Sequence, residues 1–281
     1  SLIILLAVVS LKTYCQSDDD LFSFNYTLAP TGNDDVNFYK TNFKLSLPIK
    51  KDILFNTLAF NYHQFNYYDV NFSKDELSSL YELSYKLNHT YLLDDKWSLN
   101  STLGVSLVSN LDNAISFNDI FLNGSLAFIK RVGTKEKPSH FTFGAMYTTI
   151  TGRPSVLPII NYEKKVNEKF SYQIGFPEAY AQYKLNERST LKTKLELDGY
   201  YGNLSSPVFI NISEQVNKVS FSSTSLGLEY NYWMGDCWTI VFSGGYSIIN
   251  KYKVENNQNE SNYKFNTKNQ PYFSTGIKFN L

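Results

Sequence analysis

A chain of 281 residues with 26 basic and 26 acidic side chains has a formal net charge of zero and carries no electrostatic footprint for nucleic acid. Hydrophobic residues make up 43% and aromatic residues 16%, mostly Tyr and Phe, which excludes a disordered chain. The mean hydropathy is negative, which argues against a bundle of membrane helices but not against a β-barrel, because half of each barrel strand faces a polar interior.

At the N-terminus, Leu2 to Val9 is an apolar run too short to cross a bilayer as a helix, and small residues Thr13 and Cys15 follow it. This is the shape of a secretory signal peptide over residues 1–15, its basic leader truncated, with one mature unit over 16–281. From Phe22 the period is two. Phe22, Phe24, Tyr26 and Leu28 alternate with Ser23, Asn25 and Thr27; Tyr39, Thr41, Phe43, Leu45 and Leu47 alternate with Lys40, Asn42, Lys44 and Ser46. Leu54 to Tyr62 forms a third strand and precedes a long polar connection, Asn66–Leu77. Tyr81 to Tyr91 forms a fourth, in which Tyr81, Leu83, Tyr85 and Leu87 oppose Glu82, Ser84, Lys86 and Asn88.

The same rhythm gives strands over 97–107, 120–128, 141–147 and 157–163, then a short pair, 170–176 and 179–185, around Pro177. Next come 191–201, a long loop Gly202–Asn217, 226–232, 238–248, the longest loop Asn250–Asn269, and a closing strand from Phe273. Long connections alternate with short turns, as in outer-membrane barrels with long outside loops and short periplasmic turns. The count predicts an all-β fold: a transmembrane, antiparallel, up-and-down β-barrel of about 14 strands. Twelve is the alternative, should the Pro177 hairpin and a weak neighbour fail to span. Rings fall at both strand ends, with Trp97, Phe141, Tyr162 and Trp238 near the periplasm and Tyr39, Tyr62, Tyr81, Tyr147, Tyr201 and Tyr246 near the outside, as two aromatic girdles. The final alternating strand, Gln270 to Leu281, fits a barrel that closes on its first strand and offers its free end to the barrel-assembly machinery.

The segments Gly152–Arg153–Pro154, Leu157–Pro158–Ile159–Ile160–Asn161–Tyr162, Gly175–Phe176–Pro177 leading to Tyr183, and Gly276–Ile277–Lys278–Phe279 resemble the porin-like outer-membrane β-barrel families of unknown function common in Bacteroidota. The resemblance covers nearly the whole mature chain. It implies the fold and a place in the outer membrane of a Gram-negative cell, amid lipid and lipopolysaccharide, but no reaction. One departure is Leu281, where such barrels usually end in an aromatic residue.

Residues two apart on a strand share a face, so Lys192, Lys194, Glu196 and Asp198 point inward together. Lys40, Lys44, Glu82, Lys86, Glu229, Lys184 and Lys278 lie on other inward faces. These side chains either line a pore and set its ion preference or brace the lumen as a ladder of ion pairs. Of the three histidines, His63 and His140 face the lumen and His89 faces out. His140 and Thr142 form a histidine–hydroxyl pair, but they lie inside near a periplasmic turn, where lipid chemistry has no access. No spacing suits a metal or a cofactor, and no enzyme is expected. The favoured function is a passive porin-like channel for small polar solutes. The alternatives are a non-conducting surface barrel whose loops bind a partner and, third, a lipid-modifying barrel.

Overall fold

The computed structural model describes residues 20–29, 36–50, 53–68, 71–134, 137–212, 214–258 and 260–280. The expected signal peptide and Leu281 lie outside the described residues. The strands are β1 (Asp20–Ala29), β2 (Val36–Lys50), β3 (Leu54–Tyr67), β4 (Ser79–Leu92), β5 (Trp97–Ser109), β6 (Ile120–Gly133), β7 (Pro138–Thr148) and β8 (Ser155–Lys165). They continue with β9 (Phe170–Phe176), β10 (Ala179–Asn186), β11 (Ser189–Phe209), β12 (Gln215–Trp233), β13 (Trp238–Glu255), β14 (Ser261–Lys264) and β15 (Pro271–Asn280). Single 3₁₀ turns at Asp75–Leu77 and Phe117–Asp119 precede β4 and β6.

Fourteen strands make the wall. Each of β1 to β13 pairs antiparallel with the next, β13 pairs with β15, and β15 closes on β1 from Leu28↔Phe273 to Asp20↔Asn280. Closure leaves no sheet edge, which is what a bilayer requires of a spanning sheet. The short strand β14 pairs only with the outer end of β13 and stands off the wall. Although β9 and β10 have only 7 and 8 residues, they pair with each other and with β8 and β11, so the count is fourteen and not twelve.

Alternation places the apolar side chains outward. Leu103, Leu122, Val156, Ile174, Leu228 and Phe242 are exposed on the outer surface, a belt suited to lipid, while Ser84, Ser106 and Ser139 are buried within. Rings meet near both ends of the wall: Trp97 on Phe143 and Trp238 on Phe279 at the end with the short turns, Tyr62 on Tyr81 at 5.0 Å toward the end with the long connections. Tyr201 departs from the expected outer girdle, being only 4% exposed.

Glycines let rings lie flat against the wall. A Cβ at Gly245 would stand 2.5 Å from the Leu226 carbonyl oxygen and 2.6 Å from the Tyr272 ring. The carbonyl belongs to the strand ladder and cannot yield. Gly245→Ala is therefore expected to destabilise the barrel by about 1–3 kcal/mol, read as a lower urea midpoint for loss of heat-modifiable gel mobility.

Two predicted loops are largely strand. Gly202–Asn217 is the tip of the β11–β12 hairpin, with strand continuing to Phe209 and resuming at Gln215. Asn250–Asn269 holds the outer end of β13 together with β14. These extensions lean into the barrel. Asn203 of β11 pairs in parallel with Ser109 of β5, a strand of the opposite wall, and a Cβ at Gly202 would press on Leu80 and Val108. The bend explains Tyr201: it packs edge-on against Phe121 of β6 instead of facing lipid.

Candidate functional site

Where the β11–β12 hairpin leans in, the inward faces of opposite walls meet. Phe38 of β2 stacks on Phe221 of β12 at 5.2 Å between ring centroids, Phe65 of β3 on Tyr252 of β13 at 5.1 Å, and Tyr67 meets Phe265 at 5.3 Å. Tyr200 of β11 touches both Phe221 and His63. With Leu80, Val108, Leu204, Val216, Val219 and Val254 these rings form one buried apolar cluster. It closes the outer part of the lumen like a septum. The inward-facing rings among these residues break the polar-in rule of barrel strands, and they bury apolar surface against one another at roughly 1.5–3 kcal/mol per large side chain.

Hydrogen bonds fasten the hairpin in place. The Asn203 side chain donates to Asp119 at 2.7 Å, and the Ser205 amide donates to Asn110 at 2.8 Å, where Asn110 in turn donates to Glu76. In that outer loop the Glu76 carboxyl is pushed above its ordinary range, first by hydrogen bonding with Asp112 and then by burial. On the other side, Arg153 grips Glu255 through two guanidinium nitrogens at 2.7 and 3.0 Å. Lys253 joins at 2.7 Å, and Ser220 donates to the Gly152 carbonyl at 2.6 Å. Glu255 is wholly buried, so these two cations compensate the removal of its charge from water.

His63 lies on the inner side of the septum, 1% exposed, with Nε2 at 3.9 Å from Glu82 and the ring between Phe38 and Tyr200. Beneath it the predicted lumenal residues come together. Lys40 of β2 bridges to Asp198 of β11 at 2.8 Å, tying walls several strands apart. Lys194 bridges to Glu196 at 3.1 Å and to Glu229 at 3.4 Å; Lys278 reaches Asp20 and Glu229 at 3.5 and 3.7 Å. Glu82 accepts from Asn61 at 2.8 Å, the last member of an amide ladder Asn25–Asn42–Asn61 around β1 to β3. Asp20, Lys40, Lys194, Glu196, Asp198, Glu229 and Lys278 line a cavity of about 440 Å³ together with Asn25, Asn42 and Phe38 and Phe221 of the septum, whereas Glu82, Asn61 and His63 are not in its lining.

The remaining predicted residues lie apart from that cavity. Lys192 pairs with Glu178 at 3.4 Å and its ammonium sits 4.2 Å from the Tyr180 ring centroid. Lys44 and Lys86 have no ionic partner among the described residues; Lys86 packs its stem toward Gly104. A wider vestibule of about 980 Å³ opens near the short turns and is lined by Lys165, Lys184, Glu187, Arg188 and Asp236 among others. There His140 Nδ1 lies 3.4 Å from Glu163, which also accepts from the Tyr180 hydroxyl at 2.8 Å. The carboxylate partner of His140 had escaped sequence reasoning. The signal was the β7–β8 register, which sets His140 opposite Glu163.

A family model, "Domain of unknown function (DUF6268)", matches residues 29–280. The chain belongs to the DUF6268 family. No curated protein matches this DUF6268 chain. Among solved structures, the NanC porin is 11% identical and has a TM-score of 0.46, covering 92% of this chain and 100% of its own. An outer membrane channel from Pseudomonas putida F1 is 10% identical, with a TM-score of 0.42 over 96% and 99%. Outer membrane phospholipase A from Escherichia coli is 11% identical, with a TM-score of 0.34 over 92% of each chain.

Proposed function

We propose that this barrel lies in the outer membrane and works as a gated channel for small polar solutes, with no reaction of its own. One observation carries the reading: a single lumen holds a charged, hydrogen-bonding cavity walled off by an apolar septum. Ion pairs taken out of water are poor stabilisers, and apolar filling would brace the lumen as well. A wall that keeps Lys40, Asp198, Lys194, Glu229 and Lys278 around a cavity is suited to meeting polar solutes. An apolar constriction in series with it gates by dewetting, since the stacked ring faces of Phe38, Phe221 and Tyr200, 5.2 and 5.3 Å between centroids, leave no room for water. The exposed belt would face lipid and lipopolysaccharide, and the β15 strand is the element the assembly machinery would engage.

Conductance of the refolded barrel in a planar bilayer tests this. Discrete openings are expected, and in a Lys192→Glu, Lys194→Glu variant their preference should move toward cations by about threefold or more. Silence from a folded barrel, with the septum intact and with its rings trimmed, would overturn the channel. A non-conducting surface barrel is the second reading. It rests on the interlocked outer platform, where Asn113 donates to Ser206 at 2.7 Å and Leu111, Phe117 and Ile212 stand exposed around the joint.

A further inference from the structure

We propose that the cavity beneath the septum is a binding site for an uncharged, hydroxyl-rich solute of sugar-like size. The proposal deepens the channel reading and rests on it for the route by which the solute arrives.

The first argument is charge. Four carboxylates, Asp20, Glu196, Asp198 and Glu229, and three ammonium groups, Lys40, Lys194 and Lys278, line the cavity. Each ammonium sits on at least one carboxylate, at 2.8 to 3.5 Å for its nearest partner. With one carboxylate in excess, the lining opposes an anionic solute, which would have to pull an ammonium off its partner and leave that carboxylate uncompensated. A neutral solute need not. The paired groups keep free lone pairs and N–H bonds, which hydroxyls can meet without displacing a counter-charge.

The second argument is the remainder of the lining. Asn25, Asn42, Thr27, Ser223, Ser243 and Ser274 supply amides and hydroxyls on several strands, a distributed set of short donors and acceptors. Tyr272 adds an aromatic surface: its ring lies across Gly227 and Gly245, where an added Cβ would collide with it, and it lines the cavity. Flat apolar surface beside convergent polar groups is the usual make-up of a small-molecule site.

The third argument is an orphan acceptor. Gln270 is 9% exposed, and its backbone is held by reciprocal contacts with Ser247. Its side-chain Oε1 has no hydrogen-bond partner among the described residues, and the residue lines the cavity. That oxygen exposes less than 1 Å²; a buried carbonyl left unpaired is costly, and a turn of the Gln270 side chain toward the cavity would let a solute O–H satisfy it.

The test is titration of the refolded barrel, in a sugar-free detergent, with glucose and maltose as neutral probes and with glucuronate and glucosamine as charged ones. Calorimetry should show saturable binding of a neutral probe, with glucuronate at least about tenfold weaker. A Gln270→Leu, Asn42→Leu variant that keeps heat-modifiable mobility should lose at least about tenfold in affinity for the neutral probe. The same titrations on a septum-trimmed Phe38→Ala, Phe221→Ala barrel give entry to a probe that the closed septum would hold out. Absence of saturable neutral binding in both forms overturns the proposal, as does equal or tighter binding of either charged probe, glucosamine being the one that the excess carboxylate would favour. Binding in a barrel that never conducts would instead overturn the channel and leave the site standing.

Discussion

Replacing Phe38 and Phe221 together by alanine is expected to raise the open fraction of the barrel in a planar bilayer by at least about tenfold, with long-lived steps in place of brief ones. The two rings are the centre of the cross-lumen stack. Phe38 also meets Phe65 at 5.5 Å and His63 at 5.8 Å, and Phe221 meets Tyr200 at 5.3 Å. Removing both leaves a gap bordered by the His63 ring and the Tyr200 hydroxyl, two buried polar groups without hydrogen-bond partners among the described residues. Water entering that gap gains those partners, so the trimmed septum wets where the intact one does not. Each substitution also removes packing, about 3–5 kcal/mol for a fully enclosed Phe. The wall is held by strand ladders that the rings do not join, so the variant should still fold, and heat-modifiable mobility checks it. A folded, trimmed barrel as silent as its parent would mean that no conduction path crosses the septum.

The wall was legible in the sequence because period-two alternation is a local signal. Phe24 and Tyr26 on β1, or Leu83 and Tyr85 on β4, declare their outward face without reference to any other strand. The septum was not, and the reason is physical. Phe38, Phe65, Tyr200, Phe221 and Tyr252 occupy inward positions, where an alternating reading expects polar residues, and what they touch belongs to strands remote in sequence. Register also shifts by one residue in β13 opposite Thr224 and Ser225, so parity counted along β13 from outward-facing Tyr246 fails to carry through to inward-facing Tyr252. The outer ends of β11 and β12 were read as loop because Asn203, Ser205, Ser206 and Pro207 are turn-forming residues in isolation. They lie in strand because the opposite wall gives them partners. The charged set fared better. Lys194, Glu196 and Asp198 were placed by parity alone, whereas the bridge from Lys40 to Asp198 depends on how closely β2 and β11 approach across the lumen.

The second large effect concerns the hairpin itself. In a Ser109→Cys, Asn203→Cys variant, oxidation and reduction of one protein should switch conduction. The two residues are paired across opposite walls, and neighbouring strands lie about 4.8 Å apart, within the span a disulfide bridges. Reduced, the variant lacks the Asn203 hydrogen bond to Asp119, one of the contacts that hold the hairpin over the lumen. Its open fraction should therefore exceed that of the parent. Oxidised, β11 is tied to β5, the Tyr200 and Phe221 rings cannot withdraw, and openings should fall by at least about tenfold, returning when reductant is added. If the cross-link forms, as read by its gel shift, and the oxidised barrel conducts like the reduced one, opening does not require the hairpin to leave β5. The gate would then lie in rotation of the septum rings alone. Switching that follows the cross-link would make the inward lean of β11 and β12, and the Asn203–Asp119 contact that fastens it, the element through which this barrel opens.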